Sequence, residues 1–427
     1  MLGLWRRIRA HGHNLVCFDM VRQQYISLVA DESDSLALGA PAVHRETGTL
    51  RILGTSVTQI AAVKDAAKSD LGIKLDFITL DGAAAQQRSA LQPLSFDVYD
   101  QWFHDLDLIW PTGSLQPLQI ERLLRWNEIN DLPKTGRLSP GNPRLAGGDP
   151  SHQLYVQLDG SLSNIPTDKI SMVPTVHNAD GFAVLGGSDV TSWGALLDPK
   201  NAGRVILQSD PAIGALDMLL ALQAKGQMRP ANLADLSLVE IDALVDHLSR
   251  YRSSGQFHSI WIDESEAIKA MMQGAPMLGS LWWSGAIRLK AEGVPVRMVT
   301  PLEGCRGWYG GVALAAHLAG HKRDAAYEYL NWWLDGVPGA ILARNGAYMA
   351  NHSAVRANLS SYEWDFWYEG KPASEAILDP EGRKIYEVGQ LREGGSYYER
   401  MSKVVVWDKV MTEHNYLMRR WAHAIRK

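Results

Sequence analysis

Aromatic and polar residues follow several short apolar segments of this chain, and residues of these types can bind a small organic molecule. Aromatic faces attract organic cations and provide flat apolar walls, while carboxylates and hydroxyls fix the orientation of a ligand. The chain has 15 tryptophans among 427 residues, although a tryptophan is as often part of a core as of a site. The candidate ligand-binding residues in these segments are Thr55, Ser56, Asp100, Gln101, Trp102, His177, Asn178, Asp210, Trp282, Trp283 and Ser284. For His177, a ligand contact and a structural hydrogen bond are equally open.

The sequence has none of the common catalytic motifs. It contains no G-x-x-x-x-G-K-S/T phosphate loop, no G-x-G-x-x-G after a strand, no H-E-x-x-H and no G-x-S-x-G. His317 and His321 are four residues apart, but without a third ligand they are better interpreted as surface residues than as a metal site. We therefore predict a protein that is not an enzyme and that needs no cofactor or metal.

The composition excludes several classes of partner. The formal net charge is −5, from 42 basic and 47 acidic residues, so the total charge gives no reason to expect binding to nucleic acid. No apolar stretch approaches the roughly 18 to 20 residues of a membrane helix. Cys17 and Cys305 are too few for a disulfide framework and lack the spacing of a metal site, and whether they pair is open.

Residues 1–46 differ from the rest of the chain, and we leave them uninterpreted as a leader or an extension. The N-terminus is basic through Arg6, Arg7 and Arg9, but the apolar run that follows it is short and contains Asp19. An export signal combines a basic start with an apolar run of roughly 7 to 15 residues. Such a signal is therefore not readable here.

The order of apolar segments predicts two α/β lobes. Leu50–Leu53 is followed by a helical pattern over Gln59–Leu71 and a strand over Lys74–Leu80, which is the order of a βαβ unit. Further strands are predicted at residues 96–99, 172–176, 205–208, 277–281, 296–299 and 312–316, and helices at 209–223, 238–250, 264–272 and 323–334. One sheet does not easily hold this many strands and helices, so we predict two lobes.

Several ordered strings resemble the polyamine-type (spermidine/putrescine-like) extracellular solute-binding proteins of ABC transporters. The most specific is T-S-W-x-x-L-x-D-P at Thr191–Pro199, and the others lie at residues 50–54, 71–74, 96–100, 279–285, 293–295, 304–312 and 327–334. The resemblance implies an α/β, two-lobed, periplasmic-binding-protein-like fold (type II), with mixed sheets, flanking helices and a central cleft. It also adds Trp308 and Tyr348 to the candidate ligand-binding residues.

The same resemblance implies the function and the partners. We expect the chain to be the substrate-binding component of an ABC importer, a periplasmic monomer that captures a small amine-containing solute and delivers it to a membrane permease. Asp210 matches a cation contact of the family, but Gly310 stands where polyamine binders have an acid. A singly cationic or zwitterionic solute is therefore expected, because each desolvated ammonium needs its own charge or several acceptors. Arg306 is a second candidate contact, for a carboxylate.

The predicted domains follow from these patterns. Lobe 1 comprises residues 47–174 and about 300–365, lobe 2 comprises 175–299 with part of the C-terminal helices, and 366–427 forms a helical C-terminal region. The alternative function is a bilobal lyase or transferase that acts on a small amino or carboxylate compound. Stoichiometric binding without turnover distinguishes the receptor from the enzyme.

Overall fold

The computed structural model describes residues 48–145, 147–186, 189–274 and 277–426, together with two N-terminal strands. The chain divides into two compact units, Met1–Glu46 and Thr47–Lys427. The first unit contains an antiparallel pair of strands, β1 and β2. The rest of residues 1–46, where an export signal was sought, lies outside the described residues, as does the side chain of Cys17. Cys305 is a buried free thiol.

The second unit contains most of the strands of the chain. In chain order the strands are β1 (Leu15–Asp19), β2 (Gln24–Leu28), β3 (Leu50–Gly54), β4 (Leu75–Thr79), β5 (Val98–Trp102), β6 (Leu115–Gln116), β7 (Leu118–Gln119), β8 (Tyr155–Val156), β9 (Leu162–Ser163), β10 (Lys169–Ile170), β11 (Val173–Asp180), β12 (Phe182–Leu185), β13 (Val205–Gln208), β14 (Phe257–Trp261), β15 (Leu278–Gly279), β16 (Val296–Val299), β17 (Cys305–Ala315), β18 (Tyr348–Met349), β19 (Ile377–Leu378), β20 (Lys384–Tyr386) and β21 (Val404–Trp407).

Helices flank these strands. They are α1 (Ala61–Leu71), α2 (Gly82–Leu91), α3 (Leu106–Ile109), α4 (Asp131–Thr135), α5 (Gly214–Ala224), α6 (Leu238–Ser253), α7 (Glu264–Met272), α8 (Trp283–Ala291), α9 (Gly320–Leu334), α10 (Val337–Ala343), α11 (His352–Asn358), α12 (Ser361–Trp367), α13 (Tyr397–Met401) and α14 (His414–Arg426). The predicted helices at 238–250, 264–272 and 323–334 are present with small shifts at their ends. The helix predicted from Ser209 begins instead at Gly214, after a loop.

Two mixed sheets form the two lobes. The larger has the order β18-β11-β17-β5-β3-β4, with β6 and β21 also paired to β17. Its β3, β4 and β5 are parallel, whereas β11 and β5 run antiparallel to β17. The smaller sheet has the order β14-β13-β15-β12-β16. Alternate residues of its strand β12 face opposite sides of the sheet. Phe182 and Val184 therefore pack in one apolar cluster, and Ala183 and Leu185 pack in the other.

The chain passes between the two sheets at closely spaced crossovers. It leaves the larger sheet after Asp180 and enters the smaller one at Phe182; it returns between Val299 and Cys305. Gly181 lies against the return segment, where a Cβ would overlap the carbonyl oxygen of Val299 and press on Pro301. A glycine is therefore required where the two connections touch.

The structure moves two of the predicted boundaries. All of β11, through Asp180, pairs with β17 of the larger sheet, so the change of sheet falls after residue 180 rather than after 174. Residues 366–427 are not mainly helical, because strands β19, β20 and β21 alternate with helices α13 and α14. Long-range pairing explains the difference, since β21 joins the sheet beside β17. Helix α14 then packs on the apolar cluster of the smaller sheet through Leu417 and Trp421.

Candidate functional site

A cavity lies between the two lobes, at the carboxyl ends of strands from both sheets. On one side it is lined by residues at or after the ends of β3, β4 and β5, and on the other by residues at or after the ends of β13, β14 and β15. Loops at the ends of parallel strands are where α/β folds bind ligands. The lining residues are Thr55, Ser56, Leu80, Asp81, Gly82, Trp102, Gln208, Asp210, Ile213, Ile262, Asp263, Glu264 and Trp282. We call this space the interlobe cavity.

The structure brings five of the predicted residues to this cavity: Thr55, Ser56, Trp102, Asp210 and Trp282. Their positions agree with the reasoning that proposed them, because each lies at or just beyond the end of a strand. Asp210 approaches the other lobe closely. A Cβ at Gly82 would lie 3.7 Å from Asp210 Oδ2 and 3.9 Å from Trp102 Nε1, so the carboxylate and the indole share one small volume.

Two further predicted residues lie next to the interlobe cavity. Trp308 packs edge-on against Trp102, with ring centroids 5.0 Å apart and planes at 72°. Ser284 lines a neighbouring cavity together with Ser56 and Glu264, and its Oγ donates to Glu264 Oε2 at 3.0 Å. Both residues therefore support lining groups rather than line the interlobe cavity themselves.

Six predicted residues are buried within the protein instead: Asp100, Gln101, His177, Asn178, Trp283 and Tyr348. The first two lie within β5, which continues to Trp102 rather than ending at Tyr99, because its last residues pair with β17. His177 and Asn178 lie within β11, between β17 and β18, and not in a loop after it. The structure does not bring these six to the interlobe cavity.

His177 and Asn178 contact other residues of the protein. His177 stacks on Tyr309 with ring centroids 4.5 Å apart, and its Nε2 lies 3.1 Å from Tyr397 Oη. Asn178 donates to the carbonyl oxygen of Gly346 and accepts from Arg400 Nη2. Burial lowers the pKa of His177 well below its ordinary value, which keeps the imidazole neutral. Two interpretations were left open for His177, a ligand contact and a structural hydrogen bond. The contact with Tyr397 Oη corresponds to the structural hydrogen bond.

Trp283 and Tyr348 lie beside buried arginines. Trp283 has the guanidinium groups of Arg392 and Arg400 over its ring, at 4.6 and 4.4 Å from the centroid. Tyr348 also contacts Arg392, at 4.5 Å. These cation–π contacts are made within the protein. A ligand cation would have to displace an arginine to use either ring.

Sequence reasoning missed three acidic residues of the interlobe cavity: Asp81, Asp263 and Glu264. Asp81 caps α2 by accepting from Ala84 N at 2.9 Å, and Asp263 caps α7 by accepting from Ser265 N at 2.8 Å. A sequence signal existed, since each Asp lies between a strand and a helix pattern, where an N-cap is expected. With Asp210, four carboxyl groups line the cavity.

Burial changes the proton affinity of two of these acids. It raises the pKa of Glu264 to about 7, although hydrogen bonds from Ser284 and from the Gly285 N–H partly oppose the shift. Burial also raises the pKa of Asp210, and the Ala212 N–H and the charge of Arg306 partly oppose that shift. Both carboxylates are ionised only at a free-energy cost that a nearby cation would reduce.

Paired indoles hold the aromatic walls in place. In the smaller sheet's lobe, Trp282 packs edge-on against Trp261 at a centroid distance of 5.4 Å, and Trp261 Nε1 donates to the carbonyl oxygen of Ser280. In the other lobe, Trp102 rests on Trp308 as described above. One indole from each lobe is therefore presented to the interlobe cavity with its position fixed by a second, buried indole.

Arg306, predicted as a second candidate contact for a carboxylate, is already paired. Its Nε donates to Asp217 Oδ1 at 2.9 Å, and its Nη1 donates to both carboxylate oxygens of Asp408 at 2.8 and 2.9 Å. The side chain is 2% exposed. Arg306 is thus the centre of a buried charge network, and the prediction of a ligand contact is corrected.

The described residues contain no group of three or more His, Cys, Asp or Glu side chains arranged to hold a metal ion. His317, considered at the sequence level together with His321, lies 3.6 Å from Asp97, whose carboxylate also pairs with Arg51 and Lys322. Among the described helices, none has the length and apolar character needed to cross a bilayer.

Two α/β lobes joined by crossovers, with a cavity between the ends of their strands, define the two-lobed class of solute-binding proteins. The chain belongs to the bacterial extracellular solute-binding protein family, whose model matches residues 61–351. Membership of this family makes the chain a solute-binding protein, so the alternative of a lyase or transferase is set aside.

Solved structures of this class share the fold at low sequence identity. A protein named as a spermidine/putrescine ABC transporter from Listeria monocytogenes aligns with a TM-score of 0.60 at 16% identity, over 88% of this chain and 98% of that one. The spermidine/putrescine substrate-binding protein PotD of Streptococcus pneumoniae gives 0.56 at 14%, over 88% and 99%. AgtB from A. tumefaciens, in complex with agropinic acid, gives 0.59 at 14%, over 90% and 100%. No curated protein sequence matches the chain significantly.

Proposed function

We propose that the interlobe cavity binds a small organic cation with at least one ammonium group, for delivery to the permease. The observation that carries the proposal is the composition of the lining. Asp81, Asp210, Asp263 and Glu264 face a space that is also walled by Trp102 and Trp282, and the lining described above contains no lysine or arginine. A negative, aromatic-walled cavity favours a cation and disfavours an anion.

The energetics support the same solute. Burial holds the pKa values of Asp210 and Glu264 above their usual range, so these carboxylates lack a sufficient positive partner of their own. An ammonium placed beside them would supply that partner and would itself be compensated for the loss of water. The indole faces would add about 0.5 to 2 kcal/mol for each cation contact.

The fold alone does not choose the solute. Structures that align with this chain at TM-scores of 0.56 and 0.54 are named for GABA and for fructose 6-phosphate, one an amine and the other a phosphate ester. The spermidine/putrescine names among the neighbours agree with an amine. The acidic lining of this chain is what favours the amine over the anion.

The remaining parts of the proposal concern the whole molecule. We expect a monomer located in the periplasm, as the extracellular family implies. The proposed lobes follow the sheets: residues 47–180 and about 300–365 form lobe 1, and 181–299 with helix α14 form lobe 2. Size-exclusion chromatography with light scattering tests the monomer, and cell fractionation tests the location.

Calorimetric titration tests the solute class. We expect stoichiometric, saturable binding of at least one of putrescine, spermidine, γ-aminobutyrate and simple alkylammonium ions, without turnover. Fructose 6-phosphate and simple carboxylates serve as anionic comparisons and should not bind. Binding of an anion that carries no amine, with no binding of any cation, would overturn the proposal.

A further inference from the structure

A second, larger cavity adjoins the interlobe cavity and has a different chemical character. It has a volume of about 390 Å³ and shares Asp81, Gly82, Gln208, Asp210 and Ile262 with the interlobe cavity. The two spaces therefore meet at the same carboxylates. We call this second space the side cavity.

The side cavity is walled mainly by apolar side chains. Ile260 and Ile262 of the smaller sheet's lobe form part of the lining, and α14 with the segment before it forms another part. The apolar residues of this second part are Val410, Met418, Trp421, Ala422 and Ile425. Gln86, His414 and Arg426 also line the side cavity. The acids are thus concentrated at the junction of the two cavities, and a mainly apolar surface extends away from them.

Helix α14 is a fixed wall and not a loosely attached tail. Leu417, Trp421 and Ala424 pack in the apolar cluster of the smaller sheet, and Trp421 Nε1 donates to the carbonyl oxygen of Ser209 at 2.7 Å. Tyr416 Oη also donates to Asp242 of α6 at 2.8 Å. The shape of the side cavity is therefore set by the folded lobe.

Gln208 places a polar group at the junction. The residue is 5% exposed, and its Oε1 accepts from Asp210 N at 2.7 Å, which directs the Nε2 group the other way. Gln208 lines both cavities, so its amide can donate to an acceptor group of a ligand bound at the junction.

We infer that the solute is an amphiphilic cation, with its ammonium group at the Asp81–Asp210 junction and an apolar arm lying in the side cavity against α14. This inference rests on the proposed cationic solute and specifies its shape. Helix α14 belongs to the C-terminal region, beyond residues 61–351, which the family model matches. Met418 is 37% exposed, so the outer end of the cavity reaches the surface and a long arm can be accommodated.

A series of alkylammonium ions tests the apolar arm. For the wild-type chain, affinity in calorimetric titration should rise roughly fourfold with each methylene added between n-propylammonium and n-hexylammonium, as expected for burial of each methylene. The variant Ala422→Phe places a large ring in the side cavity and should abolish this preference. Asn415→Phe, at an exposed position of the same helix, is the matched control and should keep the preference.

A second variant protects the test against misfolding of Ala422→Phe. Because Met418 is partly exposed, Met418→Asp should fold, which circular dichroism checks, and it should also reduce the preference for n-hexylammonium. Equal affinity of wild type for the short and long ions would overturn the amphiphilic solute but leave the cation proposal standing. If neither of these ions binds but putrescine, spermidine or γ-aminobutyrate does, the amphiphilic solute is likewise overturned and the cation proposal stands. If no cation binds at all, the cation proposal fails and the inference fails with it.

Discussion

Trp308 Nε1 donates a hydrogen bond of 2.6 Å to Asp180 Oδ2, and the two residues lie on the strands that bracket the crossovers between the lobes. Asp180 is the last residue of β11 before the chain enters the smaller sheet, and Trp308 follows the return crossover in β17. Trp308 also supports Trp102 of the interlobe cavity. One indole therefore connects the junction of the lobes with the wall of the site.

Replacement of Trp308 by phenylalanine should destabilise the protein by about 1 to 3 kcal/mol, because it removes the donor from a buried carboxylate. Burial already raises the pKa of Asp180 to about 6, and the charge of Arg306 and the Trp308 hydrogen bond oppose that shift. The folded-state pKa should rise further in the variant. The unfolded state is the same for both proteins, so the loss should be smallest below about pH 6, where Asp180 is protonated in both folded proteins, and should grow as the pH rises through that value.

Urea unfolding at several pH values measures this loss. Trp110→Phe is the matched control, because Trp110 Nε1 donates to Gly160 O at an exposed site and its loss should cost no more than about 0.5 kcal/mol. Equal destabilisation by the two variants at every pH would show that the Asp180 contact contributes nothing specific.

How far the sequence predicted this molecule depends on whether a feature is encoded locally. Strand β4 and helix α6 carry their own apolar periodicity, and both were predicted within a few residues. The ends of β5 and β11 depend instead on pairing with β17, which lies more than a hundred residues away in the chain. Extension of those strands is what buried Asp100 and His177, which had been predicted in loops.

The residues of the site also divide into those that a local pattern predicts and those that depend on distant parts of the chain. Thr55, Asp210 and Trp282 come after strand patterns, and that position was sufficient to place them at the interlobe cavity. Asp81 and Asp263 have the same local signal but were overlooked, because a capping aspartate is ordinarily explained by its helix alone. That both also face the interlobe cavity depends on how the lobes approach each other, which no local pattern of the sequence encodes.

Substitution of Asp210 by asparagine should weaken binding of the cationic solute by about two orders of magnitude or more, since loss of one member of a desolvated charge pair costs about 3 to 5 kcal/mol. The asparagine can still accept the hydrogen bond from Ala212 N, so the loop should keep its conformation. Calorimetric titration measures the loss. Asp65→Asn, at an exposed position of α1, removes the same charge far from the cavity and should bind within about twofold of wild type; similar losses in both variants would argue for a general charge effect.

Substitution of Gly181 by alanine should destabilise the protein by about 2 kcal/mol or more, because the new Cβ would overlap the carbonyl oxygen of Val299 at the paired crossovers. Gly141→Ala is the matched control. No heavy atom lies within 4 Å of a Cβ built at Gly141, so that change should be neutral or slightly stabilising through the unfolded state. Thermal unfolding of the two variants compares them, and an unchanged midpoint for Gly181→Ala would contradict the steric argument.

Binding of the cation should weaken as the pH falls, and Glu264 should be a main cause. In the unliganded protein the Glu264 pKa is raised to about 7, by burial above all. A bound ammonium favours the ionised carboxylate, so the pKa in the complex must be lower than in the free protein. The affinity for the cation should then be highest above about pH 7 and should fall as the pH drops through that value. One titrating group can reduce the affinity by at most about tenfold per pH unit.

Calorimetric titration between about pH 8 and pH 6 measures this dependence, and repetition in buffers of different ionisation enthalpy measures the protons released on binding. Glu264→Gln should bind more weakly at about pH 8 but should lose most of the pH dependence, because the glutamine cannot titrate. Glu375→Gln, at an exposed position, is the matched control and should retain the wild-type profile. An affinity that is independent of pH over this range, or that rises as the pH falls, would show that Glu264 does not act as a counter-charge to the solute.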